Sequence, residues 1–370
     1  MKNQNTDHIY IHIPFCSSKC PFCAFKTGVR HRSTISDYVH QLCKEIEGRL
    51  SERDKLNIET VYMGGGTSNL LQLEEIEKIM NSLFHHNASL KMLKEITIEL
   101  HPNLISEDYI KGLIQLRFNR FSVGVQSFQE DELKVLRRGY TAQEVQKKIS
   151  LLKETGIQNL NFDFMMAIPG QTLQSLQQNI SIAQQFDPQH LSCYFLTLEE
   201  GTQFMREHEK GQFLEMNEET SSLFYEHLCA MLEKTNFLHY EISNWAKRGY
   251  ECLHHLRFWE GKPYLGFGLS ATSFDNDQYT LNTSSLKNYL SNPFLKEEIL
   301  TFSTEETKKR DQIIRQSRTL QGIESTWFTP DQIKPLLEAK LLIKRKNQIR
   351  LTPKGWMLND YVVGQLLEAI

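Results

Sequence analysis

A chain of 370 residues with 40% hydrophobic content and 10 prolines is long enough to bury a large α/β core and a smaller unit beside it. Its formal charge of −3 gives no general attraction for nucleic acid or anionic lipid, so no nucleic-acid partner is expected. No stretch approaches the ~18 consecutive apolar residues of a membrane span, and the apolar run at 9–15 lacks the length and cleavage pattern of a signal peptide, so a cytoplasmic protein is expected.

In chain order, β-branched or aromatic-rich runs at 9–14, 58–63, 95–100, 120–125, 159–165 and 190–196 read as strands. Between and after them, residues 36–50, 73–83, 106–116, 141–155 and 173–186 carry apolar side chains at three- and four-residue intervals, the spacing of helices packed on one face. Ser106 followed by Glu107 and Asp108 is a helix start, and Gly156 is a helix stop. Strands alternating with helices imply a parallel sheet, and six such units predict an α/β fold with a partial, TIM-like (β/α)6 barrel over 1–235. After 235 the rhythm changes. Residues 240–245, 252–259 and 264–268 read as strand and loop with clustered aromatics, an extension of the barrel over 236–304. From 305 the order is helix at 311–322, helix at 330–339, strands at 341–345 and 348–352, and helix at 353–367. That order predicts a winged-helix-like α+β domain over 305–370, with the basic Lys344-Arg345-Lys346 at the hairpin tip.

Polar and glycine-rich residues recur at the carboxyl ends of the strands, the rim where parallel α/β folds assemble active sites. The first such segment holds Cys16, Cys20 and Cys23, three of only seven cysteines in the chain. A C-x3-C-x2-C loop can wrap three thiolates round one small object, and soft thiolates favour iron–sulfur clusters and zinc. A structural zinc site would want a fourth ligand, for which His31 is available; a four-iron cluster on three cysteines would instead leave one iron open. Cys43, Cys193, Cys229 and Cys252 are scattered and read as small apolar residues.

Gly64-Gly65-Gly66-Thr67 ends the second strand, either bringing bare backbone close to a ligand or making a tight turn. Glu99 and Asp163 lie in apolar runs where a charge needs a partner, which could be an ammonium, ribose hydroxyls, Arg120 or Arg138. Gln126 follows Val123-Gly124-Val125 and is ambiguous alone. His254 and His255, near Phe258, Trp259 and Tyr264, offer either an axial ligand with aromatic walls for a flat macrocycle or a histidine pair beside an aromatic cluster.

Together these segments resemble the radical S-adenosylmethionine (SAM) superfamily, in its coproporphyrinogen III oxidase-like branch. The motifs are Tyr10-Ile11-His12-Ile13-Pro14-Phe15-Cys16, the cysteine triplet, the glycine run with Thr67, Gly124-Val125-Gln126-Ser127-Phe128, Asp163 ahead of Pro169-Gly170-Gln171-Thr172, and Gly266-Phe267-Gly268 ahead of Ala271. The resemblance implies a [4Fe-4S] cluster on Cys16, Cys20 and Cys23, with SAM chelating the free iron. It implies that Gly64, Gly65, Gly66 and Thr67 receive the methionine end. Tyr10, Phe22, Glu99, Gln126, Arg138 and Asp163 would cradle the rest, with Thr197 and Thr272 near the adenine. It further implies an electron donor such as a flavodoxin or ferredoxin, and cleavage of SAM to a 5′-deoxyadenosyl radical.

Two subgroups of the branch compete. The oxygen-independent oxidases decarboxylate coproporphyrinogen III to protoporphyrinogen IX in porphyrin biosynthesis; they carry a further cysteine two residues after the triplet and a long amino-terminal extension. Here Phe25 stands at that place, and fifteen residues precede Cys16. Both departures point to the heme-chaperone subgroup, whose members bind heme and pass it to acceptor proteins. That subgroup has a His-Asn pair followed by Tyr-Trp. His254 keeps the histidine and would be the heme ligand, while His255 and Phe258-Trp259 replace the rest. Ala24 and Ser68 also depart from the usual Asp and Pro.

Overall fold

The computed structural model describes residues 7–53, 57–84, 92–302 and 304–370. The first part winds as β1 (Asp7–Ile13), α1 (Arg32–Ser51), β2 (Ile58–Gly65), α2 (Leu73–Phe84), β3 (Glu95–Leu100), α3 (Glu107–Gln115), β4 (Arg120–Gln126), α4 (Glu130–Val135), α5 (Ala142–Glu154), β5 (Leu160–Met166), α6 (Leu173–Gln185) and β6 (His190–Phe195). Each strand from β1 to β6 pairs in parallel with the next, as the alternation of strands and helices requires. Helices start where side chains satisfy their free N–H groups. Ser106 accepts from the Tyr109 amide, and Thr141 and Thr172 each form a capping box. On α1, Ile35, Tyr38, Val39, Leu42, Ile46 and Leu50 bury one stripe against the sheet.

The chain continues as α7 (Gln203–Glu209), α8 (Glu218–Glu233), β7 (Phe237–Glu241), β8 (Asn244–Lys247), α9 (Leu253–Trp259), β9 (Tyr264–Phe267), β10 (Thr272–Asp275), β11 (Gln278–Asn282), α10 (Leu286–Ser291) and β12 (Lys296–Thr301). Its strands flank the parallel core, giving a 12-stranded sheet in the order β12-β11-β10-β9-β1-β2-β3-β4-β5-β6-β8-β7. This is the open, partial barrel expected of six βα units. Strand β9 pairs in parallel with β1 across more than two hundred residues, and β8 pairs antiparallel with β6.

The Gly266-Phe267-Gly268 segment works in this closure. A Cβ on Gly266 would lie 2.1 Å from the Thr272 carbonyl oxygen, and Gly268 has φ +102° with its N–H on the buried Glu45 carboxylate at 2.9 Å. Finally come α11 (Glu305–Gln316), β13 (Ile323–Glu324), α12 (Pro330–Glu338), β14 (Leu342–Arg345), β15 (Gln348–Leu351), α13 (Pro353–Met357) and α14 (Asn359–Glu368), with a separate sheet ordered β13-β15-β14. The helices and hairpin have the winged-helix-like order.

Three local readings change. Residues 252–259, read as strand and loop, contain the helix α9. The first helix of the tail starts at Glu305, ahead of the expected 311. The last helix is broken at Leu358, where φ −106° and ψ 32° leave the helical region, while Trp356 anchors the first piece by donating from Nε1 to the Ser317 carbonyl at 2.8 Å. Helices α4, α7, α8 and α10 lie outside those expected from periodicity.

Candidate functional site

Alternate residues of the barrel strands face one interior cavity of about 860 Å³ at the carboxyl end of the parallel sheet. The strand register explains the grouping. Tyr10 lies beside Tyr62, Glu99 beside Ser122, Ser122 beside Asn161, and Asp163 beside Ser192, all of them lining the cavity. Of the residues singled out from sequence, Tyr10, Cys16, Cys20, Phe22, Cys23, Gly65, Gly66, Thr67, Glu99, Gln126, Arg138, Asp163 and His254 line it, as do Thr197 and Thr272. Gly64 stands just behind. A Cβ there would lie 2.7 Å from the Glu99 carboxyl carbon, so Gly64 makes room for Glu99.

The cysteine loop leaves β1 and is held by main-chain bonds. The Cys16 amide donates to the Gly28 carbonyl at 3.2 Å, the Gly28 amide to Pro14 at 3.0 Å, and the Phe204 amide at the start of α7 to Pro21 at 2.9 Å. The turn ending β2 closes on the same segment, with the Gly66 and Thr67 amides on the carbonyls of Ile13 and Phe15 at 2.8 and 2.7 Å. All three thiols are free and partly exposed to the cavity. Burial pushes the Cys23 thiol up, with the neighbouring Cys20 and Cys16 adding to the effect. Arg138 donates from Nη1 to the Cys20 sulfur at 2.8 Å, placing a cation against the thiol group. His31, the fourth ligand of the zinc alternative, caps α1 instead, its Nδ1 accepting from the Ser33 amide.

The same cavity holds two half-buried carboxyl groups. Glu99 accepts from the Tyr62 hydroxyl at 2.8 Å and the Gly65 amide at 3.0 Å. Asp163 accepts from Asn161 at 2.8 Å and Ser122 at 3.1 Å. Burial, then the charge of Asp163, raises the Glu99 carboxyl to about 7. Burial likewise raises Asp163, against the hydrogen bonds from Asn161 and Ser122. Such a pair favours a ligand bringing positive charge and hydroxyl donors. Gln126, at the end of the strand between theirs, has φ 65°, a left-handed conformation costly for a side chain, at a register shift of β4 against β5.

Helix α9 contributes a further part of the lining. His254, His255 and Phe258 line the cavity, and Tyr62 packs on both imidazoles at 5.3 and 5.1 Å between ring centroids. Side chains from elsewhere hold the helix in place. The Glu95 carboxylate accepts from the Leu253 and His254 amides at 2.9 and 3.1 Å, and the buried Glu59 accepts from Arg257 at 3.1 and 3.2 Å. Burial lowers His254 well below the usual histidine range and His255 to about 3, with a neighbouring imidazole adding to the first and Arg120 to the second. Both are therefore neutral at pH 7, the state in which an imidazole ligates metal.

Some motif residues prove to be scaffold. Ser127 and Gln171 donate to the buried Glu132 carboxylate at 2.6 and 3.1 Å, which also accepts from Ser175 and Asn179 at 2.5 and 2.9 Å. That cluster clamps the ends of β4 and β5 together. Other cavity residues were given no role from sequence: Tyr62, Ser122, Asn161, Ser192, His12 and His101. The signal available for Tyr62, His12 and Asn161 was a position two apart from Gly64, Tyr10 and Asp163 on the same strand.

A model of the Radical SAM superfamily matches residues 10–181. The chain is 29% identical over 373 residues to the heme chaperone HemW of Bacillus subtilis, covering 97% of this chain and 98% of that protein. It is 31% identical over 306 residues to the heme chaperone HemW of Haemophilus influenzae, covering 78% and 77%. Among solved structures, coproporphyrinogen III oxidase (HemN) from Escherichia coli, a radical SAM enzyme, matches with TM-score 0.82 at 21% identity, covering 99% of this chain and 90% of that one; this likeness concerns the fold. The chain belongs to the radical SAM superfamily and, within it, to the HemW family.

Membership implies a [4Fe-4S] cluster and SAM, and the residues present suit both. Three free thiols, two half-buried carboxyl groups and a bare glycine turn line the one cavity. Among the described residues, no helix is long and apolar enough to cross a membrane.

Proposed function

We propose that this chain is a radical SAM protein of the heme-chaperone type, which binds heme and delivers it to acceptor proteins in the cytoplasm. The observation that carries the reading is one cavity walled on one side by Cys16, Cys20 and Cys23 and on another by His254 of α9. In this reading residues 1–235 are the radical SAM barrel, 236–304 carry the heme-binding element, and 305–370 are the winged-helix-like tail. The relatives named as heme chaperones support it over most of the chain's length.

Cys16, Cys20 and Cys23 would hold the cluster, and Tyr10, Phe22, Gly64, Gly65, Gly66, Thr67, Glu99, Gln126, Arg138 and Asp163 would hold SAM. When bound, the cluster supplies a one-electron reductant beside the sulfonium of SAM, with electrons from a flavodoxin- or ferredoxin-type donor. The side chains do the rest. Glu99 and Asp163, each raised by desolvation, accept from the amino and hydroxyl groups of the ligand; Arg138 steadies the Cys20 thiolate; Phe22, packed on Phe204, helps exclude water. Phe25, 63% exposed at the rim, puts an apolar ring where the decarboxylating oxidases have a cysteine, which favours the carrier over the enzyme.

The test is an anaerobic assay following hemin binding and SAM cleavage on one reconstituted sample. Stoichiometric hemin binding that is lost in His254→Ala is expected. Conversion of coproporphyrinogen III to protoporphyrinogen IX with SAM and a low-potential reductant would overturn the proposal.

A further inference from the structure

Behind His254 lies a row of buried polar groups that the heme-chaperone reading leaves unused. The His254 Nδ1 is 2.8 Å from the Thr60 hydroxyl oxygen, which is also 3.1 Å from the Nδ1 of His8. The His8 Nε2 lies 3.7 Å from a carboxylate oxygen of Glu59, an electrostatic contact longer than a hydrogen bond. All four side chains are buried, with exposures of 7% for His254, 0% for Thr60, 1% for His8 and 3% for Glu59.

Proton counting fixes the direction of this row. A hydroxyl has one hydrogen, so Thr60 donates to one imidazole and accepts from the other. Burial lowers His8 to about 4, so it is neutral with one N–H. Were that proton on Nδ1, the Nε2 lone pair would face the buried Glu59 carboxylate, two negative ends opposed in a low-dielectric interior. The proton therefore sits on Nε2, and Nδ1 accepts from Thr60. The Thr60 oxygen then accepts from His254, which must carry its proton on Nδ1. Its Nε2, which makes no hydrogen bond among the described residues, presents a lone pair, and the ring lines the cavity.

We propose that Glu59, His8 and Thr60 form a relay that holds His254 in the Nδ1–H tautomer, so that Nε2 is the atom offered to heme iron. The inference rests on the heme-binding reading and adds three positioning residues to it. Metal-bound histidines owe their orientation and basicity to such a partner on the second nitrogen, and its loss weakens binding about 10- to 100-fold. Glu59 has a second task, since it also binds Arg257 of α9 and Lys94 at 2.7 Å, so the group that orients His8 also fixes the helix carrying His254.

The experiment uses the cluster-containing full chain loaded with hemin. Affinity is read by Soret titration, and the iron–histidine stretch by resonance Raman of the ferrous form. Thr60→Val is expected to loosen hemin about 10- to 100-fold and lower the stretching frequency, with the cluster absorption unchanged as the report of an intact fold. Thr60→Ser, which restores the hydroxyl, is expected to recover both. Wild-type affinity and stretch in Thr60→Val would overturn the relay, and so would equal impairment in Thr60→Ser, which would trace the effect to packing. A stretch that persists in His254→Ala would instead overturn the heme-ligand assignment itself, leaving the relay with no role.

Discussion

The cysteine loop and helix α9 wall the same cavity but are held there in opposite ways. The loop is short, follows β1 directly and is fixed by main-chain hydrogen bonds to Pro14, Gly28 and Phe204. Helix α9 arrives from more than two hundred residues downstream and is fixed by side chains, with Glu95 on its first amides, Glu59 on Arg257 and Thr60 on His254. A wall made by backbone tolerates changes in side chains that bear no ligand. One made by buried carboxylates does not.

That contrast decides what sequence could reveal. Cys16, Cys20 and Cys23 announce themselves by spacing, because all three fall within one short loop of the chain. The six parallel strands are legible for the same reason, each being a local apolar run followed by a local amphipathic helix. Residues 252–259 were misread because the cap of α9 is Glu95, 158 residues away from Leu253 in the chain, so no local start signal exists. Cys252, which precedes the helix, makes no side-chain cap bond to it. Tyr62 and Asn161 share a strand face with Gly64 and Asp163, but their neighbours across the sheet, Tyr10 and Ser122, become evident only once the register is known.

The largest expected effect tests the loop as the cluster's cradle. Changing any one of Cys16, Cys20 or Cys23 to Ala should abolish the visible absorption of the reconstituted cluster, while circular dichroism stays that of the folded chain. A variant retaining full iron and sulfide would remove that cysteine from the ligand set.

On the other wall, Glu95→Ala should destabilise the protein by about 3 kcal/mol in urea unfolding. It strands two helix amides and removes negative charge from near the fully buried Arg120. Hemin binding should fall with it, since α9 would keep only its ties to Glu59 and Thr60. A loss below 1 kcal/mol would show that packing alone seats the helix.

Between the walls, Glu99 links pH to stability. Its folded carboxyl is raised from 4.5 to about 7, so over that interval the folded state binds a proton that the unfolded chain has released. Stability of the ligand-free protein should therefore fall as pH rises from about 4.5 to 7, by roughly 2 kcal/mol once solvent in the cavity is allowed for. Glu99→Gln should flatten that slope in thermal melts. An unchanged slope would place the proton elsewhere.

The smallest effect sharpens the comparison most. Gly28 binds the cysteine loop through main-chain atoms, its amide on Pro14 and its carbonyl receiving the Cys16 amide. A Cβ there would meet the end of the exposed, flexible Arg30 side chain at 3.2 Å. Gly28→Ala should accordingly change stability by less than about 0.5 kcal/mol and leave cluster absorption intact. Both bonds that Gly28 makes to the loop survive the substitution, whereas Glu95→Ala removes two of the bonds that tie α9. Should the two variants cost the same, the loop would depend on side-chain packing as much as the helix does, and the division between a backbone-built wall and a carboxylate-built wall would be lost.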